Sequence, residues 1–187
     1  MLSNGATRSS RLQISYMEIK STFTNRPGQV VTILYRDIDS ESELQDREIN
    51  GVHAYCFCDD KLLVVYSDKK GYWTPPGGGV EIGESARDAV IREVKEETNM
   101  KVLKQRFVGF QEISELGKIV NQTRSVCIVE PHGPFVEDPD AGEITKVELI
   151  DPKDYKKYFD WGEIGDHLME RALQLKAQMD LEIDYVK

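Results

Sequence analysis

Along the chain, stretches in which apolar and polar residues alternate give way to stretches in which apolar residues recur every three or four positions. Leu12, Ile14 and Tyr16 alternate, so residues 1–16 read either as an upstream extension or as an edge strand. Val30 to Tyr35, after the Pro27-Gly28 turn, predicts a second strand, and the almost purely polar Asp37 to Asn50 predicts a linker or long loop. Val52 to Cys58 and Leu62 to Tyr66 predict a hairpin turning at Asp59-Asp60-Lys61. Arg106 to Ile113, Thr123 to Glu130 and Ile144 to Ile150 predict three more strands, the last two separated by an irregular loop from Pro131 to Gly142.

The period changes at Ser85. Ala86, Ala89, Val90 and Val94 fall on one helical face; Ser85 has the side chain of an N-cap, and Asp88 sits in the first turn, where an acid is favoured. Asp151-Pro152 predicts a cap and first helical residue of a short helix reaching Phe159. Ile164, Leu168, Ala172, Leu175 and Met179 then trace the core-facing stripe of a longer helix. Strands and helices in this order predict an α/β (α+β) fold, a mixed β-sheet sandwiched between helices.

Composition narrows the partners. The 187 residues suffice for one well-buried core. A net charge of -9, from 24 Lys+Arg against 33 Asp+Glu, repels nucleic acid and anionic membranes unless a basic patch overrides it. The only basic doublets are Lys69-Lys70 and Lys156-Lys157, so an anionic small substrate needs a metal or focused cations. Three cysteines make no disulfide framework; Cys56 and Cys58 share one side of a strand and read as small buried hydrophobes in a reducing compartment. His53, His132 and His167 lack ligand spacing, which argues against zinc. No apolar run approaches the ~18 residues of a membrane-spanning helix, so a soluble cytoplasmic protein is expected.

The chemistry concentrates between Gly77 and Glu97. Gly77-Gly78-Gly79 allows a backbone to approach a ligand closely, its amides and carbonyls available to phosphate or metal. On the following helix Glu93 and Glu97 lie about 40° apart, with Glu96 about 60° to the other side of Glu93. Like charges so gathered repel, which favours a hard divalent cation such as Mg²⁺ between them. A solvated helix face steadied by pairs such as Arg92 with Glu96 accounts for the three glutamates equally well.

The segment from Gly78 to Met100 resembles the box of the Nudix hydrolase family, G-x5-E-x7-R-E-U-x-E-E-x-G-U, with Glu84, Arg92, Glu93, Val94, Glu96 and Glu97 in place. Asn99 stands where the box has glycine; Asn is the usual second choice at a left-handed helix terminus. The likeness extends more loosely over Gly51 to Met179, which predicts a Nudix hydrolase domain at 51–187 behind an N-terminal extension, 1–50, with extra strands.

The resemblance implies hydrolysis of a diphosphate linkage in a nucleoside diphosphate derivative, with Mg²⁺ or Mn²⁺ as cofactor. It makes Glu93, Glu96, Glu97 and Arg92 the catalytic set, and Glu93, Glu97, Glu96 and the Gly77 carbonyl the metal ligands. Arg92 either orients the carboxylates, by pairing with Glu84, or makes a purely structural salt bridge. The general base is Glu93 or a later loop residue, Glu137 or Glu143. Tyr72 and Trp73 either stack on a base or pack in the core. The first proline after the box is Pro131, the first tyrosine Tyr155, and no arginine lies between Arg47 and Arg87. The features of ADP-ribose, dinucleoside polyphosphate and coenzyme A members are thus missing, leaving nucleoside triphosphates, oxidised nucleotides or nucleotide sugars. The resemblance makes a homodimer plausible; a non-catalytic metabolite sensor or an isomerase on the same fold are the rival readings.

Overall fold

A computed structural model describes residues 17–25, 27–45, 47–135 and 144–184. The alternating segment Leu12 to Tyr16, and Glu137 and Glu143, lie outside them. The strands are β1 (Glu18–Thr24), β2 (Val30–Asp37), β3 (Gly51–Cys58), β4 (Lys61–Ser67), β5 (Tyr72–Thr74), β6 (Met100–Glu115), β7 (Lys118–Pro131) and β8 (Ile144–Ile150). Two helices follow the period of three and four, α1 (Ala86–Thr98) and α2 (Gly162–Asp184).

The strands form one sheet in the order β1-β2-β6-β7-β3-β4-β5, with β8 on β4. The β3–β7 pair is parallel and the others antiparallel, giving the mixed sheet of an α/β fold. Alternation divides the core between two faces. Tyr55, Phe57, Val126 and Ile128 pack with Leu168, Ala172 and Met179 of α2; Val52, Ala54, Cys56 and Cys127 pack with Ala89, Val90 and Val94 of α1. Cys58 joins Cys56 on the α1 face, and all three cysteines are free.

Several elements differ from the sequence expectation. β1 was not expected, because only Ile19 of its seven residues is buried. The polar stretch after β2 holds a 3₁₀ turn, Glu41–Leu44, whose Leu44 is buried with Ile38 against the α1 face. β6 and β7 run well beyond the expected bounds, with register shifts at Val102/Lys104 and Phe107/Gly109 that break the alternation a sequence pattern relies on. The expected helix at Pro152 is a 3₁₀ segment, Pro152–Lys157, capped by Asp151.

One departure from regularity makes the site. β3 and β4 pair only next to their turn, at Phe57↔Leu62 and Cys58↔Lys61. The free edge at the start of β3 is taken by the glycine segment instead: Val52 N donates to Gly78 O and Ala54 N to Pro76 O, each at 2.9 Å. The triple glycine is thereby bound along a sheet edge beside α1.

Candidate active site

Helix α1 is pinned at both ends. Ser85 Oγ accepts from Asp88 N at 3.1 Å and donates to Asp88 Oδ2 at 2.7 Å. At the other end Asn99 is left-handed (φ 52°, ψ 32°) and its amide donates to Lys95 O. Its side chain donates to Pro134 O at 2.8 Å, a bond glycine would lack. The apolar positions face the sheet, so Arg92, Glu93, Glu96 and Glu97 fall on the side that meets the glycine segment.

Arg92 organises that side. Nε and Nη2 donate to the two oxygens of Glu84, each at 2.9 Å, a bidentate pair. Nη2 also donates to Gly79 O at 2.8 Å, and Nη1 to Glu93 at 2.9 Å and Glu96 at 3.1 Å. All five N–H donors of the guanidinium are thus engaged. The Arg92 hydrogen bonds hold the Glu84 carboxyl below its ordinary range, and its carboxylate partners push the Arg92 pKa up.

Glu93 is the buried member, its side chain 12% exposed. Burial raises its pKa above the usual carboxylate value; Arg92 opposes the shift, while Glu96 and Glu84 add to it. A Cβ on Gly78 would lie 2.4 Å from Glu93 Oε1, so glycine there leaves room for the carboxylate against the backbone. A Cβ on Gly77 would strike Val52 O at 2.1 Å. Gly77 N donates to Glu97 Oε2 at 2.8 Å. The Gly77 amide thus faces Glu97, while Pro76 O and Gly78 O are taken up by β3.

The structure brings Arg92, Glu93, Glu96, Glu97 and the Gly77 backbone to one side of α1. Among the described residues, no three His, Cys, Asp or Glu side chains stand close enough to cage an ion. Glu93 and Glu96 are drawn onto Arg92, whereas Glu97 is held by the Gly77 amide, so the three share a face without meeting at one point. The donors are all hard oxygens, which fits Mg²⁺ or Mn²⁺ in kind. An ion held by them would need further oxygens, from water or a bound phosphate, to complete its shell. The Gly79 and Gly77 backbone contacts escape sequence reading, because they arise from the splaying of β3 from β4. Trp73 is partly buried and packs between Tyr66 and Tyr158 against the core, while Tyr72 is exposed.

Comparison with known proteins agrees with this geometry. Residues 48–171 match the NUDIX domain. The Bacillus subtilis protein named "Uncharacterized Nudix hydrolase YvcI" is 45% identical over 51 residues, 27% of this chain and 32% of that protein. The NAD-capped RNA hydrolase NudC of Photorhabdus laumondii is 40% identical over 55 residues, 28% of this chain and 21% of that protein. The matches thus span at most about a third of those curated relatives. A mutant of the Bacillus subtilis pyrophosphohydrolase BsRppH superposes with a TM-score of 0.62 at 19% identity, covering 82% of this chain and 96% of that one. A Caenorhabditis elegans Ap4A hydrolase gives 0.50 at 20% identity, covering 70% and 99%. With the box on a capped helix, the glycine segment on a sheet edge and a domain match over most of its length, the chain belongs to the Nudix hydrolase family.

Proposed function

We propose that this protein hydrolyses a diphosphate linkage in a nucleoside diphosphate derivative, a nucleoside triphosphate, an oxidised nucleotide or a nucleotide sugar, using Mg²⁺ or Mn²⁺. The observation that carries the reading is the placement of Glu97, Glu93 and the Gly77 backbone on one edge, around an arginine whose donors are all spent on structure. Glu93, Glu97 and the Gly77 carbonyl would hold the cation, with Glu96 joining directly or through water. A cation bound there neutralises the phosphates and acidifies a water.

The chain's own residues supply the order. Arg92 fixes Glu84, Glu93 and Glu96 relative to the Gly79 carbonyl, which makes it a positioning residue. Glu93, half-buried and with its proton affinity raised by burial, is the described group best suited to take a proton from the attacking water. Glu137 and Glu143 are the other candidates for that role.

The same proposal places a Nudix domain at 51–187 behind an extension at 1–50. The domain match beginning at residue 48 supports the boundary, although β1 and β2 extend the same sheet. Three free cysteines favour the cytoplasm. Leu116, Ile119 and Val120, exposed around the β6–β7 turn, favour a homodimer. A nucleotide panel assayed for phosphate or pyrophosphate release tests the activity. Turnover should need Mg²⁺ or Mn²⁺ and vanish in chelator; Glu97→Gln should lower it at least ~100-fold. Undiminished turnover in excess chelator would overturn the metal mechanism.

A further inference from the structure

On the α2 face of the sheet lies a cavity of about 670 Å³, a size that suits a small-molecule ligand. Aromatic and aliphatic side chains line most of it, with Phe23 and Tyr72 exposed and Trp161 partly buried at the start of α2. Its polar residues include a buried cation, Arg124 of β7, 4% exposed.

Among the described residues no carboxylate hydrogen-bonds Arg124. Its guanidinium donates to Thr123 O at 3.1 Å, to Gln122 Oε1 at 2.8 Å and to Gln111 Oε1. Its Nε is buried without a partner, and the group lies 5.5 Å from the centre of the Trp161 ring. Burial lowers its pKa to about 10, still charged at neutral pH. That Nε is enclosed by protein and both Nη2 donors are spent, so what Arg124 has to offer the cavity is the N–H that Nη1 carries beyond its bond to Thr123 O.

We propose that this cavity is a nucleobase pocket that selects 6-oxopurines, with Arg124 and Gln111 donating to the acceptor edge of the base. Gln111 is 3% exposed, and its Oε1 is held by Arg124, so its amide nitrogen is the group it has left to offer. The floor of the pocket is therefore rich in donors. Guanine presents two acceptors, N7 and O6, on one edge; adenine replaces the second by an amino donor that would face a cation. Trp161, Tyr72 and Phe23 supply the flat apolar surface a base stacks on. Asp160, the one carboxylate on the lining, is exposed and accepts from Gly162 N.

Position agrees with chemistry. Arg124 sits in register with His53 of β3, whose neighbour Val52 binds Gly78 O. Two strand spacings, about 10 Å, thus separate the arginine from the glycine segment, a gap for a ribose to bridge. The inference rests on the proposed hydrolase reading for its reason to bind a nucleotide, but its test does not need turnover.

Calorimetric titration of the full chain in chelator, with GMP, AMP and ribose 5-phosphate as probes, decides it. GMP should bind at least ~10-fold tighter than AMP, a margin of the order expected for one such base contact. Ribose 5-phosphate should bind more weakly than either. Tyr72→Ala, at an exposed position, should weaken both nucleotides; Arg124→Met should erase the preference for GMP. If Arg124→Met does not fold, the wild-type ratio and Tyr72→Ala still decide. Equal affinities for GMP and AMP would overturn the selectivity, ribose 5-phosphate matching GMP would make Arg124 a phosphate site, and an unaffected Tyr72→Ala would remove the pocket. A protein that binds GMP but hydrolyses nothing loses only the hydrolase reading; one that hydrolyses nucleotides without base preference loses only the pocket.

Discussion

Arg92 grips Glu84 with two parallel hydrogen bonds of 2.9 Å, joining the end of the loop that leaves the glycine segment to the middle of the helix that follows it. The same guanidinium binds Gly79 O, so one side chain sets the distance between loop and helix. A lysine is a point charge without the fork, and cannot make these five bonds together. Arg92→Lys should therefore cost roughly 1–3 kcal/mol, the scale of charge-assisted hydrogen bonds. That is a fall of about 3–10 °C for a chain of this size. Hydrolysis should drop at least ~10-fold, mainly in kcat, since Arg92 has no donor left for substrate. Melting curves and steady-state kinetics check both; unchanged melting would reduce the cluster to a solvated surface pair.

Asn99 offers a cleaner backbone test. Its left-handed φ of 52° favours glycine, but its Nδ2 bond to Pro134 O favours asparagine, and the two effects oppose one another. Asn99→Gly should thus stay within ~1 kcal/mol of wild type. Asn99→Val loses the bond and forces a β-branched residue into positive φ, costing more than the glycine variant by about 1–3 kcal/mol. Equal melting temperatures for the two would contradict the observed terminus.

Most of α1 was legible because Ala86, Ala89, Val90 and Val94 carry the helical period and the box residues are local in sequence. The site's other half was not. Gly77 meets Glu97 across twenty residues only because β3 splays from β4, a tertiary event with no local signature. Edge strand β1 shows one buried residue, and bulges in β6 and β7 shift the alternation, so no short-range pattern could bound them. Arg124 is the hardest case. Arginine is expected at the surface, and nothing in the surrounding Thr123 and Ser125 announces a buried cation over a tryptophan ring.

Asp37 yields a pH dependence away from the site. At the end of β2 its buried carboxylate accepts from Tyr35 Oη at 2.7 Å and Met17 N at 3.0 Å, and pairs with His167 Nε2 at 2.8 Å and Arg171 Nε at 3.5 Å. Burial alone would raise its pKa, but the Tyr35, His167 and Met17 hydrogen bonds and the Arg171 charge outweigh it and hold the value below 3.8. For an acid with a depressed folded pKa, the stabilisation is present above the unfolded value and disappears as pH falls through the folded one. Acid melts from pH 6 to about 2.5 should therefore show a loss below ~4 that Asp37→Asn flattens. At neutral pH Asp37→Ala should cost about 1–3 kcal/mol, the scale of leaving the Tyr35 and His167 donors unmet, while Arg171 keeps Asp39 and Val108 O. Identical acid profiles for wild type and Asp37→Asn would remove the linkage.

The last prediction separates a cation site from a charged helix face. Glu93 is half-buried next to Glu96 and Glu84, and that burial with those neighbours disfavours its ionised form despite Arg92. In chelator the folded protein therefore carries a penalty that Glu93→Gln should relieve, raising the melting temperature. Glu97→Gln should be near neutral, because its amide oxygen can still accept from Gly77 N. Glu96→Gln should cost a few tenths of a kcal/mol, the usual worth of an exposed i,i+4 pair with Arg92. Mg²⁺ reverses the order. Wild type should gain RT ln(1 + [L]/Kd), about 2.7 kcal/mol at a hundredfold excess, because the ion binds the folded state alone. Glu93→Gln and Glu97→Gln should gain much less, each having lost a charged ligand. Were the face merely solvated, Mg²⁺ would move all four melts together, and Glu93→Gln would lose the stability its Arg92 bond supplies. Thermal melts of wild type and the three variants, with and without Mg²⁺ at matched ionic strength, distinguish the two. A wild type indifferent to millimolar Mg²⁺ would exclude a preformed site and leave only metal carried in by the substrate's phosphates.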